Sequence, residues 1–281
     1  MINFTSHTVF VFLTVFALFL YTEFPKYQAF NDDNLHVYFL DVGQGDASLI
    51  KTPDKDLILI DTGPGSAVNF ELSKILPFWI NNIDLLVLTH SHADHIGGVP
   101  DLVESYNVEC VLYESVDKPI SNLEIEVRND LSEIQEFISA CLHDSGSIEF
   151  QNYSLRGSSI SDESTNENFE SIISYIKYGD IDILFAADAE LDVQKSLQEQ
   201  LPKQVDILKV PHHGAEDSLN PNYLQDLGLQ LAIISVGENN RFKHPDSEVI
   251  DFYMKQGVRV LTTMETGTIH FRSNGKEWFV Q

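Results

Sequence analysis

Three histidines and an aspartate fall within six positions in the stretch THSHADHIGG: His90, His92, Asp94 and His95. Imidazole and carboxylate together, with no thiolate beside them, are the donor set of borderline or harder divalent ions such as Zn2+ or Mn2+. In an extended stretch His90, His92 and Asp94 share one side, and the glycine-ended turn brings His95 round beside Asp94, so two neighbouring metal ions can be addressed. Open coordination positions on such ions suit catalysis more than structure. A polar surface turn is the bland alternative, and three histidines in so short a run make it the weaker one. A tandem pair, His212 and His213, leaves an apolar run just before Gly214. One of the two is expected to complete a metal's ligands and the other to face substrate. His213 is assigned to the metal, although adjacent strand residues point to opposite faces and the reverse assignment stays open.

These residues need a framework, and the chain supplies short apolar runs separated by Gly, Asp and Pro. Residues 36–42, 47–51, 57–61 and 85–89 read as strands, and the spacing predicts helices over 69–80, 99–106 and 132–142. Beyond an acidic, serine-rich loop at 158–167, runs 172–177 and 181–185 form a hairpin across Tyr178, Gly179 and Asp180. Strands at 205–210, 231–236, 259–263, 268–272 and 278–280 follow, with helices around 190–200 and 247–256. Strands and helices alternate, His90 follows directly on one strand, and no repeat period is visible.

The first residues stand apart. Residues 9–21 (VFVFLTVFALFLY) carry no charge, and counting from Ile2 to Phe24 gives enough length to cross a bilayer. Its thirteen residues fit a signal-peptide apolar region, but no basic residue precedes the run and no small-x-small site follows it, so of a signal and a membrane anchor over 1–28 the uncleaved anchor is the one expected, with one domain over 29–281. A buried core helix is the alternative, since six of the first 24 residues are Phe. If the run is exported, the catalytic domain is periplasmic or extracellular, where Cys110 and Cys141 could pair. With only these two cysteines the chain is neither a disulfide scaffold nor a cysteine-rich zinc module. The formal net charge of −26 argues against a broad electrostatic grip on nucleic acid or anionic membranes, so any phosphate must be held locally.

The complete His-x-His-x-Asp-His pattern resembles the signature of the metallo-β-lactamase superfamily. FLDVGQGDASLI (39–50), IDTG (60–63), DILKVPHHG (206–214) and ISVGENNRFKHP (234–245) extend the likeness to the hydrolase domain of ComEC-type competence proteins, over about residues 35–272. The resemblance implies an α/β fold of four layers, an αββα sandwich, with a dinuclear site at one edge. It makes His90 and His92 ligands of one metal and Asp94 and His95 ligands of the other, with Asp188 bridging both. It also places His244 at the mouth, where it could stabilise an oxyanion or protonate a leaving group. Asp61 would hydrogen-bond a ligating imidazole. Gln44, Gly45 and Asp46 would serve the substrate, support a ligand or simply form a turn, and the pair Gly97, Gly98 would let a helix approach the metals closely. The chain departs from the pattern at Ala187, where Gly usually precedes the bridging aspartate, and at Asn168, where related phosphodiesterases carry His. At His92, competence-type domains usually carry Asp.

Together these features predict a hydrolase that uses a metal-bridging hydroxide, with Asp94, His212 and His244 as its catalytic side chains and two divalent metal ions, Zn or Mn, as cofactors. A phosphodiester, DNA or an envelope polymer, is the expected substrate, approached past a small cationic rim of Lys209, Arg241 and Lys243. A lactonase, thioesterase or β-lactamase acting on a small ester or lactone would use the same chemistry. A non-catalytic metal-binding envelope protein is the third alternative. His7, His36, His143 and His270 are expected to be structural or exposed.

Overall fold

The computed structural model describes residues 6–113, 121–132, 134, 148–153, 168, 171–238 and 240–281. The chain begins with a long helix, α1 (Ser6–Asn31), and continues through β1 (Leu35–Phe39), β2 (Ser48–Lys51), β3 (Leu57–Ile60), α2 (Ala67–Ile75) and β4 (Asn82–Leu88). Short α3 (Ala93–Ile96), α4 (Val99–Ser105), β5 (Asn107–Tyr113) and α5 (Asn122–Asp130) close the first half. The second half comprises β6 (Glu149–Tyr153), β7 (Ile173–Tyr178), β8 (Ile181–Phe185), α6 (Leu191–Leu197), β9 (Ile207–Lys209), α7 (Pro221–Leu224) and β10 (Leu231–Ile234). It ends with α8 (Ser247–Lys255), β11 (Arg259–Thr262), α9 (Thr263–Thr266), β12 (Ile269–Ser273) and β13 (Trp278–Val280).

The strands form two mixed sheets, ordered β13-β12-β1-β2-β3-β4-β5 and β11-β10-β9-β8-β7-β6. Alternation along each strand decides which layer a side chain joins. Val37, Phe39, Ile58, Ile60, Leu85 and Val87 meet Ile181, Ile183, Phe185, Ile207 and Ile233 between the sheets. On the outer face of the first sheet Leu57, Leu59, Leu86 and Leu88 pack against Val68 and Leu72 of α2 and Leu102 of α4. On the outer face of the second, Leu184, Leu208 and Ile234 pack against Val193, Leu197, Val249 and Tyr253. The result is the four-layer αββα sandwich.

β3 and β4 run parallel, as do β8, β9 and β10. Their C-terminal ends therefore meet at one edge, the usual place for a ligand on such sheets. Asp61 follows β3, Thr89 to His95 follow β4, Asp188 follows β8 and His212 and His213 follow β9.

Local chemistry explains where elements differ from the sequence expectation. The helix expected over 69–80 stops at Ile75, because Leu76 precedes Pro77 and is extended (φ −81, ψ 141). α5 was not expected; its start is marked by Ser121, whose hydroxyl accepts from Glu124 N at 3.0 Å. Most of the helix expected over 132–142, and the whole 158–167 loop, lie outside the described residues, as do Cys141 and His143. Cys110, on β5, is disulfide-bonded.

The core-helix alternative for the N-terminal run is overturned, since its side chains from Val9 to Tyr21 are all exposed. α1 is long and apolar enough, by length and composition, to cross a membrane. Its C-terminal turns dock on the domain: Lys26 Nζ donates to Ser73 O at 2.8 Å and Phe78 N donates to Glu23 Oε2 at 3.1 Å.

Candidate metal centre

His90, His95, Asp188 and His213 are almost wholly buried, and their nitrogen and oxygen atoms converge. His95 Nε2 lies 3.3 Å from Asp188 Oδ1, and His90 Nε2 3.9 Å from Asp188 Oδ2. His213 Nε2 lies 3.4 Å from Asp94 Oδ2 and 3.9 Å from Asp188 Oδ2. Four overlapping groups of ligand atoms thus form among the described residues: His90, His95 and Asp188; Asp94, His95 and His213; Asp46, Asp188 and His213; Asp46, Asp61 and His95. His95 Nε2, His213 Nε2 and Asp188 Oδ1 are buried without a hydrogen-bond partner. Leaving such atoms unpaired is costly unless something completes them, and their imidazole and carboxylate chemistry fits a divalent cation.

The opposite nitrogens are held so that the free ones face inward. His95 Nδ1 lies 2.8 Å from Asp61 Oδ2, and Asp61 in turn accepts from Thr89 N at 2.9 Å and Thr89 Oγ1 at 2.8 Å. His213 Nδ1 donates to Ser235 O at 2.9 Å. Such partners fix ring orientation and tautomer.

The electrostatics follow from the crowding. Burial disfavours a charged His95, but Asp188 and Asp61 overcome it and hold the ring well above its ordinary value. Burial and the neighbouring His95 drive His90 well below its own. Burial likewise opposes charge on Asp188, yet His95 and His213 keep its carboxyl well below the usual range. Burial also opposes charge on His213, yet Asp188 and Asp46 hold it above its ordinary value.

The backbone is strained where these residues sit. Asp61 (φ 57), Ala187 (φ 48), His212 (φ 49) and His213 (φ 53) are all left-handed, a conformation that costs most residues roughly 1–2 kcal/mol. Ala187 thus adopts the geometry for which glycine is the usual residue, and its carbonyl accepts from His212 N at 3.0 Å, tying the two ligand loops together.

The other expected residues occupy different places. His92 Nδ1 lies 3.0 Å from His90 Nε2, but His92 joins no three-ligand group among the described residues. His212 is half-buried at the rim, with Nδ1 3.1 Å from Asp217 Oδ1 and Nε2 3.9 Å from Asp188 Oδ2. His244 stands beyond it, the two ring centres 5.9 Å apart, and stacks on Phe242.

Two expectations are corrected. Lys209 is not a rim cation: it is buried and paired with Asp46, because its strand position points it inward beneath the site. Arg241 and Lys243 are exposed. The close approach at Gly98 is to the 62–65 loop, where a Cβ would meet Thr62 O at 2.6 Å, not to the metal ligands.

Asp46 is the participant that spacing alone left ambiguous. Its signal was the glycine-flanked GQGD loop: Gly45 has φ 154, a side chain there would collide with Asp94 O, and Asp46 N donates to that same oxygen at 3.0 Å. Away from the site, His36 Nε2 lies 2.8 Å from Asp32 Oδ1 and His36 Nδ1 lies 3.0 Å from His270 Nε2. These rings line a cavity of about 630 Å3 between the end of α1 and the edge of the first sheet. Burial, with His36 and Arg272 beside it, pushes His270 down to about 4.

Residues 40–135 match the family model of the metallo-beta-lactamase superfamily. Over these residues the chain is similar to the metallo-β-lactamase superfamily. Over 257 residues it is 27% identical to ComE operon protein 3 of Bacillus subtilis, covering 84% of this chain and 33% of that protein. A shorter match, 50% identical over 46 residues, covers 16% of the chain and 14% of ribonuclease Z from Clostridium kluyveri. Among solved structures, the metallo-beta-lactamase fold protein YhfI from Bacillus subtilis superposes with a TM-score of 0.52 at 14% identity, over 85% of this chain and 100% of that one, which shows the shared fold. The chain spans about a third of the length of the curated relatives that match most of it. The resemblance to competence-type proteins drawn from the motifs holds over 84% of the chain.

Proposed function

We propose that this metallo-β-lactamase domain hydrolyses a phosphodiester with the help of two divalent cations, Zn or Mn, and that α1 anchors it to a membrane. The observation that carries the reading is the buried cluster of overlapping ligand groups sharing Asp188, His95 and His213, with orphaned atoms directed at one another. When bound, paired cations supply an ionised water at neutral pH and neutralise charge that develops on oxygen. His90, His95 and Asp188 form one ligand group, with Asp94, His95 and His213 and Asp46, Asp188 and His213 as its neighbours. His92 stands against His90 on the first side.

The chain's own residues supply the rest. Asp61 and Ser235 O hold the His95 and His213 rings so that their Nε2 atoms face the cluster. Asp217 holds His212 with its Nε2 towards the site, where it can pass a proton to or from the reacting oxygens. His244 borders the same mouth, with Arg241 and Lys243 exposed on its loop as points of attachment for an anionic substrate. The similarity to ribonuclease Z, whose name states an action on RNA, supports a phosphodiester over a carbonyl substrate.

The test is the full chain in detergent, stripped with chelator and reloaded separately with Zn2+ and Mn2+. It is then offered bis(p-nitrophenyl) phosphate, a lactone and a cephalosporin beside an Asp188→Asn control. Metal-dependent release from the diester alone, lost in the control, is expected. Turnover of only the lactone or cephalosporin would favour carbonyl chemistry. Metal uptake without turnover of any of the three would favour a metal-binding envelope protein.

A further inference from the structure

Turn tips are ordinarily made of Gly, Pro, Asn, Asp or Ser, yet the turn at residues 77–80, closed by Ile80 N donating to Pro77 O at 2.9 Å, carries Phe78 and Trp79 at its tip. Both are exposed, at 68% and 45%. They do not stand free of α1. The Phe78 ring meets Phe19 edge-on at 5.5 Å, Trp79 meets Tyr27 at 6.3 Å, and the two tip rings meet each other at 5.0 Å. The Lys26 and Glu23 bonds to Ser73 O and Phe78 N fasten the turn to the helix at this level.

The register along α1 gives this patch its meaning. A hydrocarbon core of about 30 Å takes roughly 20 helical residues, and the 20 residues from Ile2 to Tyr21, whose apolar part is 9–21, contain no Asp, Glu, Lys or Arg. Phe19 lies inside that stretch, Tyr21 ends it, and Phe24 and Tyr27 continue beyond its end, all exposed. Aromatic rings gather in this way where a helix leaves the bilayer. Phe78, held against Phe19, falls at the hydrocarbon boundary, and Trp79, held against Tyr27, falls at the level of the headgroups.

We propose that the 77–80 turn is an interfacial foot that seats in the outer layer of the bilayer beside α1, Phe78 deeper than Trp79. This rests on the reading of α1 as a membrane anchor. The foot also orients the domain. It lies before the first residue of β4, whereas His90 to His95 follow the last, and seven strand residues separate the two ends by roughly 23 Å. β1 likewise begins beside the end of α1 and runs away from it towards the Asp46 loop. The metal centre therefore opens on the side away from the bilayer, towards substrates arriving from the aqueous phase and not towards lipids of the same leaflet.

Three single-tryptophan forms of the full chain test this in phospholipid vesicles, because the protein has only two tryptophans, Trp79 and Trp278. Trp278→Phe leaves Trp79. Adding Trp79→Phe and either Phe78→Trp or Phe242→Trp places the probe at the turn or at the mouth of the site. Lipids carrying a nitroxide at shallow or deep positions serve as quenchers. The shallow label is expected to quench Trp79 most, the deeper label to quench the residue-78 probe more than it quenches Trp79, and neither to reach position 242. If the chain floats with the vesicles but iodide quenches Trp79 freely and the lipid labels do not, the foot is refuted while the anchor stands. If the chain does not float, the anchor reading fails and takes the foot with it. Protection of Trp79 that vanishes as protein is diluted into excess lipid would show a second copy covering the patch, which also overturns the proposal.

Discussion

Replacing Asp61 by Asn isolates what one carboxylate contributes to the proposed metal centre. Asn has the same size and tolerates the left-handed backbone at this position (φ 57) as well as Asp does, so no new strain enters. The carboxylate accepts at both oxygens, from Thr89 N on one and from Thr89 Oγ1 and His95 Nδ1 on the other. An amide can accept at only one of the two. If its oxygen faces His95, its NH2 confronts the Thr89 N–H. If it faces Thr89 N, His95 must turn an unprotonated Nδ1 to the amide and carry its proton on Nε2, the atom that should bind metal. Losing an outer partner of a ligating histidine typically lowers metal affinity 10- to 100-fold, or about 1.4–2.7 kcal/mol. The metal-free fold should lose a further 1–3 kcal/mol, roughly, from a buried donor left unpaired. Competition for Zn2+ against a chromophoric chelator measures the first, and thermal melts in excess chelator measure the second. An affinity within twofold of the parent, together with an unchanged melt, would refute the claim that Asp61 sets the His95 tautomer.

Further outcomes follow from the same geometry. His95 is held above its ordinary value of 6.5, so its contribution to the metal-free fold is complete below pH 6.5 and is lost as pH rises through the raised value. Chelator-treated protein should therefore melt progressively earlier between neutral and alkaline pH, while metal affinity rises as His95 gives up its proton; a flat melting profile there would contradict the pairing. Ala187→Gly relieves a left-handed alanine (φ 48). Against roughly 1–2 kcal/mol of relief stands about 0.4–1 kcal/mol of added unfolded-chain entropy. The net gain is about 0.5–1 kcal/mol, a rise of about 1–3 °C in melting temperature; a fall would show that the methyl group packs. Arg241→Ala with Lys243→Ala should weaken cleavage of a polyanion and flatten its salt dependence while leaving a small neutral ester untouched. An equal loss on both substrates would place those residues in folding and not in attachment.

Much of the candidate site is legible in the chain because its candidate ligands come in short clusters at the ends of strands. The run from His90 to His95 and the pair His212, His213 announce themselves by type and spacing, and the alternating apolar runs announce the sheets that carry them. The 172–177 and 181–185 runs appear almost unshifted as β7 and β8, since a glycine-containing turn between two β-branched runs fixes the pairing locally. The end of α2 was equally local, residing in Pro77, and the start of α5 resided in Ser121 and Glu124.

What spacing could not decide was which side chains meet across the chain. Lys209 reads as a surface cation beside a histidine pair, yet β9 is an interior strand, and burial leaves a lysine there only if a carboxylate from elsewhere meets it; Asp46, 163 residues earlier, does so. His212 and His213 are neighbours of identical type. They are separated only by consecutive left-handed turns that send one ring towards Ser235 and Asp94 and the other towards Asp217. Sequence sets periodicity, turn chemistry and donor type, all of which act within a few residues. Which charges share a buried space, and which aromatic turn rests against which helix, depends on contacts formed only when distant strands and α1 are brought together.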